Sequence, residues 1–146
     1  MVFDETGSRP RMTRVHRPTN DFSLDDVRVE GCTFELERRP GLTLRLRGAA
    51  EATAGDTLGV LFTRMHEECV RVGARELRID LRHLEVMSSS CFKDIVSWVL
   101  RIEALPVAQR YSLVLVHSQV HAWQRRSLRA LAAMGPDVIV LEGGVG

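Results

Sequence analysis

The apolar positions of this chain follow two rhythms that alternate along its length. Cys32-Thr-Phe-Glu-Leu-Glu37 and Leu42-Thr-Leu-Arg-Leu-Arg47 are apolar at every second position, the period of a half-buried strand, and Arg38-Arg-Pro-Gly41 between them reads as a turn. The pair predicts a hairpin with one apolar and one polar face. From Asp56, an acid suited to a helix N-cap or first turn, Leu58, Leu61, Phe62, Met65, Cys69 and Val72 recur at steps of three and four until Gly73. That spacing predicts a helix with Cys69 in its core stripe. Alternation returns in Glu76-Leu-Arg-Ile-Asp-Leu81, with Leu77, Ile79 and Leu81 on one face and Glu76, Arg78 and Asp80 on the other. A second helix is predicted from about Ser88, burying Phe92, Ile95, Val96, Val99 and Ile102 and stopping at Pro106. Leu113-Val-Leu-Val116 is apolar on both faces, as a central strand is. A third helix begins near Val120, buries Val120, Trp123, Leu131 and Met134, turns Arg125, Arg126 and Arg129 outward, and breaks at Gly135-Pro136. Val138-Ile-Val-Leu141 is the last strand.

Helical crossovers between strands demand parallel neighbours, whereas the hairpin is antiparallel, so the sheet is mixed. The expectation is an α+β (α/β) fold of about five strands, with about three helices mainly on one face and the other face left open at least in part. Residues 25–146 form a single domain in this reading. Residues 1–24 carry Arg9, Arg11, Arg14 and Arg17 with almost no apolar periodicity and are expected to be an arginine-rich, poorly ordered arm.

Composition adds exclusions. The chain has 146 residues, 45% hydrophobic and 27% charged, the profile of one globular domain and not of a disordered or membrane chain. A formal net charge of +1 is too small for a whole-surface field that holds nucleic acid or anionic lipid. Lys93 is the lone lysine, so the basic residues are otherwise arginine. The cysteines Cys32, Cys69 and Cys91 are odd in number and far apart, which supports neither a disulfide framework nor a zinc site. With no cationic, apolar leader at Met1 and no long apolar run, a cytoplasmic protein is expected.

One local sequence stands apart. Ile79-Asp-Leu-Arg-His-Leu-Glu-Val-Met-Ser-Ser-Ser-Cys-Phe92 reads as a strand end, a short loop, and three serines opening the second helix. A helix N-terminus exposes unpaired N–H groups and the positive end of the macrodipole, so hydroxyl residues cap it and an added phosphate is tolerated there. Stepping about 100° per residue sets Cys91 and Trp98 together on one flank, near Asp94. Core packing is the competing reading for both.

This stretch resembles the STAS domain, the fold of bacterial anti-sigma-factor antagonists. The family signature is an apolar strand ending in Asp-Leu, a short loop with an apolar pair, and Asp-Ser-Ser-Gly at a helix start. Here Leu77 to Leu81 supply the strand with Asp80, Leu84, Val86 and Met87 the loop, and Ser88-Ser-Ser-Cys91 the signature, with Ser88 replacing the aspartate and Cys91 the glycine. The element order over residues 27–141 also matches, although the family's usual last helix is missing. The resemblance implies a non-enzymatic module that captures a protein partner, such as a serine kinase of the anti-sigma type, and releases it when phosphorylated. It places the phosphoacceptor at Ser89, then Ser90 and Ser88. The partner surface becomes His83, Glu85, Met87, Ser88, Ser89, Ser90, Cys91, Asp94 and Trp98. No cofactor, metal, specific nucleic acid or membrane is implied, and a second copy of the chain is left open as a partner.

Two alternatives remain from the residues. One is a scaffold that kept the fold without the switch, because Ser88 stands where an acid belongs. The other is a thiol enzyme with Cys91 as nucleophile and His83 as base. The phosphatase-type arginine six residues after Cys91 is replaced by Ser97, and no Gly-x-Ser-x-Gly, Gly-rich phosphate loop or HExxH occurs. His117 and His121 span a strand end and a helix start, so their four-residue spacing does not make a metal site.

Overall fold

The computed structural model describes residues 27–29, 31–38 and 41–143. Six strands, β1 (Val27–Val29), β2 (Cys32–Glu37), β3 (Thr43–Ala50), β4 (Glu76–Met87), β5 (Ser112–His117) and β6 (Ile139–Gly143), lie side by side in sequence order. The first three pair antiparallel, and β3 through β6 pair parallel. Each parallel step is made by a helix: α1 (Gly55–Val72), α2 (Ser89–Glu103) and α3 (Ala122–Met134). Such crossovers are right-handed almost without exception, and three taken in the same direction put every helix on one face.

The core lies between that face and the helices. Leu44 and Leu46 of β3, Leu77, Ile79 and Leu81 of β4, and Leu113 and Leu115 of β5 pack with Leu58, Phe62 and Met65 of α1, Ile95 and Trp98 of α2, and Leu128 of α3. Phe62 stacks on Trp98 with ring centroids 4.9 Å apart and tilts against Phe34 at 6.2 Å. Gly73 closes α1 in the left-handed conformation that glycine adopts without steric penalty, with φ 68°.

The mixed sheet with its one-sided helices agrees with the sequence pattern, and the differences have physical causes. β1, a three-residue strand antiparallel to β2, adds an edge that no periodicity announced. The segment expected as a loop, His83 to Met87, is strand: β4 pairs with β3 up to Met87. Two irregularities hide it. Arg45↔Asp80 is followed by Arg47↔His83, and Gly48↔Leu84 by Ala49↔Val86, so β4 twice carries one residue more than β3. Each extra residue flips the alternation, which is how Leu81 and Leu84, three positions apart, both face the core.

Three burial expectations are corrected. Asp80, expected on a solvated face, is 3% exposed beneath Arg45 and Arg82. On α3 the stripe is partly turned: Val120, which precedes the helix, is 74% exposed and Met134 is exposed, whereas Leu131 is buried as expected, Trp123 is half-buried against the core, and Gln124 and Leu128 are buried as well. On α2 the buried set is Cys91, Ile95, Trp98, Val99 and Ile102, while Phe92 and Val96 are half-buried at its margin. The arm at residues 1–24, with Arg9, Arg11, Arg14 and Arg17, lies outside the described residues.

Candidate functional site

The site forms where β4 ends and α2 begins. The Ser88 N–H donates to the Ala50 carbonyl at 2.8 Å, tying this junction to the end of β3. Ser88 is the N-cap of α2, and its Oγ accepts from the Cys91 N–H at 3.3 Å. Serine thus performs the cap that an aspartate at this position would perform, without the charge. Ser90 Oγ lies 3.1 Å from Ser88 Oγ. A Cβ added at Gly55 would meet Ser90 Oγ at 3.1 Å, so the start of α1 presses close to this hydroxyl. Ser89 is exposed, and among the described residues its hydroxyl is the one of the three with no hydrogen bond. The first turn of α2 contains no acidic residue. A negative charge at Ser89 would therefore meet the open N–H groups and the positive end of the helix without repulsion from within that turn.

The surrounding residues divide by accessibility. His83 and Glu85 are exposed on the late part of β4, and Met87 is half-buried against the core. Cys91 and Trp98 are fully buried, which corrects their assignment to a partner surface. Cys91 Sγ donates to the Glu51 carbonyl at 3.4 Å, and Trp98 Nε1 donates to the Tyr111 hydroxyl at 2.7 Å. The thiol-enzyme reading loses its nucleophile to the interior, while the proposed base His83 stands exposed on β4. Among the described residues no group of His, Cys, Asp or Glu could hold a metal ion.

Asp94, one turn along α2 from Ser90, borders a groove of about 500 Å³ between α1 and α2 that Asp56, Thr63, Arg64 and Arg101 also line. Among the described residues its Oδ2 is buried without a hydrogen-bond partner, and a Cβ at Gly59 would meet its Oδ1 at 3.2 Å. Burial first, and the charge of Asp56 second, raise its pKa above the ordinary carboxylate value, while Arg101 opposes them. Sequence reading missed this groove, because Gly55 and Gly59 on α1 are legible as a close-approach stripe only once Ser90 and Asp94 are known to face them. It also passed over Lys93, which follows Ser89 by four positions on α2 and so shares its helix face.

No family model matches the chain, and no curated protein does. Among solved structures, an anti-sigma factor antagonist from Mycobacterium paratuberculosis is similar, with a TM-score of 0.54 and 17% identity over 75% of this chain and 85% of that one. The chain has the fold of an anti-sigma factor antagonist. At 17% identity the likeness extends to the fold alone. Within the antagonist fold as built here, the hydroxyl-bearing start of α2 is a surface feature, with Ser89 and Ser90 exposed and Ser88 half-buried. No helix among the described residues is long and apolar enough to cross a membrane.

Proposed function

We propose that this protein is a non-enzymatic regulatory binding module of the antagonist type, and that phosphorylation of Ser89 switches its affinity for a protein partner. The observation that carries the reading is the division of labour among three adjacent hydroxyls: Ser88 caps the helix, Ser90 sits against Ser88 and α1, and Ser89 is exposed and unengaged. The partner surface is then the edge from the exposed His83 and Glu85 through the half-buried Met87 and Ser88 to Ser89, Ser90 and the half-buried Asp94, without Cys91 and Trp98. Phosphate at Ser89 adds about 1.5 to 2 negative charges at neutral pH on that edge, within helical reach of Lys93, and alters docking without disturbing the core. An anti-sigma-type serine kinase fits both roles, modifying enzyme and captured partner. Three buried, free thiols suit the reducing cytoplasm.

The test is intact-mass analysis after incubation with ATP and the serine kinases of the source organism. One phosphate is expected on the native chain and on Ser90→Ala, and none on Ser89→Ala. A second reading, a binding scaffold without a switch, is favoured by Ser88, which caps α2 but supplies no acid for a kinase to recognise. A chain that stays unmodified with every kinase, yet captures the same partner before and after, supports the scaffold.

A further inference from the structure

A separate cavity lies one strand further along the sheet, outside the carboxyl end of β5 and beside the start of α3. It measures about 210 Å³, and its lining includes His117, Gln119, Arg125 and Arg129. These side chains come from a strand end, a loop and two successive turns of a helix. Among the described residues no aspartate or glutamate lines it. Among the described residues neither Arg125 nor Arg129 makes an ion pair, although most arginines of the sheet do so.

The base of the cavity is rigid. Gln124 is fully buried, and its Nε2 donates to the Leu81 carbonyl at 2.7 Å and the Leu84 carbonyl at 3.0 Å. Its Oε1 accepts from the Ser118 N–H at 2.9 Å, and Ser118 Oγ accepts from the Val120 N–H at 3.1 Å. One side chain thereby locks the middle of β4 and the residue after β5 to the first turn of α3, fixing where Arg125 and Arg129 begin their reach. Leu128 and Leu141 complete the lining with apolar surface, which lowers the local dielectric and strengthens charge interactions inside.

From this geometry we propose that the cavity binds a phosphate group, either the free ion or a small phosphomonoester, between Arg125 and Arg129 with His117 and Gln119 as further donors. The volume is below the range of roughly 300–1,000 Å³ typical of drug-sized organic ligands and suits a compact anion. Two guanidinium groups provide planar, charge-assisted hydrogen bonds matched to phosphate oxygens. An imidazole supplies an N–H donor in either tautomer. The site shares no residue with the Ser89 surface, so its success or failure is independent of the proposed switch.

Isothermal titration of the full chain with inorganic phosphate, and separately with O-phosphoserine, at matched ionic strength tests this. Saturable binding is expected, weakened about tenfold by Arg125→Gln or Arg129→Gln singly and lost in the double variant. Arg126→Gln, on the same helix but outside the cavity, should bind as the native chain does. All three arginines are exposed, and unchanged melting temperatures will confirm that the variants fold. Tighter binding of O-phosphoserine assigns an ester, whereas equal or tighter binding of phosphate assigns the free ion. Absence of saturable binding for both, persistence in the double variant, or an equal loss in Arg126→Gln overturns the proposal.

Discussion

A glutamine carries more of this architecture than its neighbours suggest. Gln124 is fully buried, bonds two carbonyls of β4 and one N–H after β5, and so satisfies backbone groups that have left the regular ladder. Replacing it with leucine keeps much of the volume but strands those groups in the interior. Each unmet buried polar group costs on the order of 1–3 kcal/mol. Gln124→Leu is therefore expected to lower unfolding free energy by about 3 kcal/mol or more, read as a reduced urea midpoint. A loss below about 0.5 kcal/mol would mean water replaces the amide readily. Nothing in the sequence marked this residue. Sequence reading assigned the buried stripe to Val120, Trp123, Leu131 and Met134, because polarity argues against burial unless the partners are known. The same limit hid Asp80, whose carboxylate accepts from Arg45 Nε at 3.1 Å, from the Arg82 N–H at 3.1 Å and from Arg82 Nη2 at 2.9 Å.

Elements with a steady rhythm were legible, and those that break rhythm were not. α1 was readable from Leu58 to the Gly73 cap because its stripe never loses phase, and β5 because four successive apolar residues require cover on both faces. β4 was readable only to Leu81, where its first extra residue reverses the alternation and makes a strand look like a loop. The start of α2 was legible for a different reason: serines before an apolar stripe are a capping signal, and Ser88 does cap. What no pattern could supply was which serine stays free, since that depends on Ser90 meeting α1. The irregularity of the sheet also makes a prediction at Gly48. Its φ is +95°, and a Cβ there would lie 2.2 Å from the Gly31 carbonyl oxygen, whose partner is the Ala49 N–H at 2.8 Å. Gly48→Ala must move backbone, not a flexible side chain, and also take a disfavoured conformation. A loss of about 3 kcal/mol or more is expected, whereas Gly41→Ala, with nothing among the described residues within 4 Å, should stay within about 0.5 kcal/mol. Equal effects at the two positions in thermal melts would show that the β3 irregularity relaxes freely.

Across the whole molecule, buried titratable groups set how stability responds to pH. His66 of α1 is half-buried, and its Nδ1 lies 2.7 Å from the Tyr111 hydroxyl, which also accepts from Trp98 Nε1. Which of the two groups donates in the His66–Tyr111 hydrogen bond depends on the imidazole tautomer. Burial first and Arg101 second lower the His66 pKa from 6.5, and Glu67 opposes them. Asp80 shifts down as well: burial acts to raise it, but hydrogen bonds from Arg82 and Arg45 prevail and hold it well below 3.8. In both cases the unfolded chain binds a proton at a higher pH than the folded chain, so acidification favours unfolding. The His66 contribution is complete above about pH 6.5 and declines as pH falls below it, while that of Asp80 declines only below about pH 3.8. Asp94 works in the opposite sense, since its raised pKa lets the folded state take up a proton first and recover some stability on acidification. The urea midpoint should therefore fall between pH 7.5 and pH 5.5, before any carboxylate of ordinary pKa titrates. His66→Gln retains an acceptor for Tyr111 but cannot take up the proton, so its midpoint should be flatter over the same interval. A native midpoint that holds steady or rises from pH 7.5 to pH 5.5, or a His66→Gln profile parallel to it, would show that burial and Arg101 do not disfavour the charged imidazole in the folded chain.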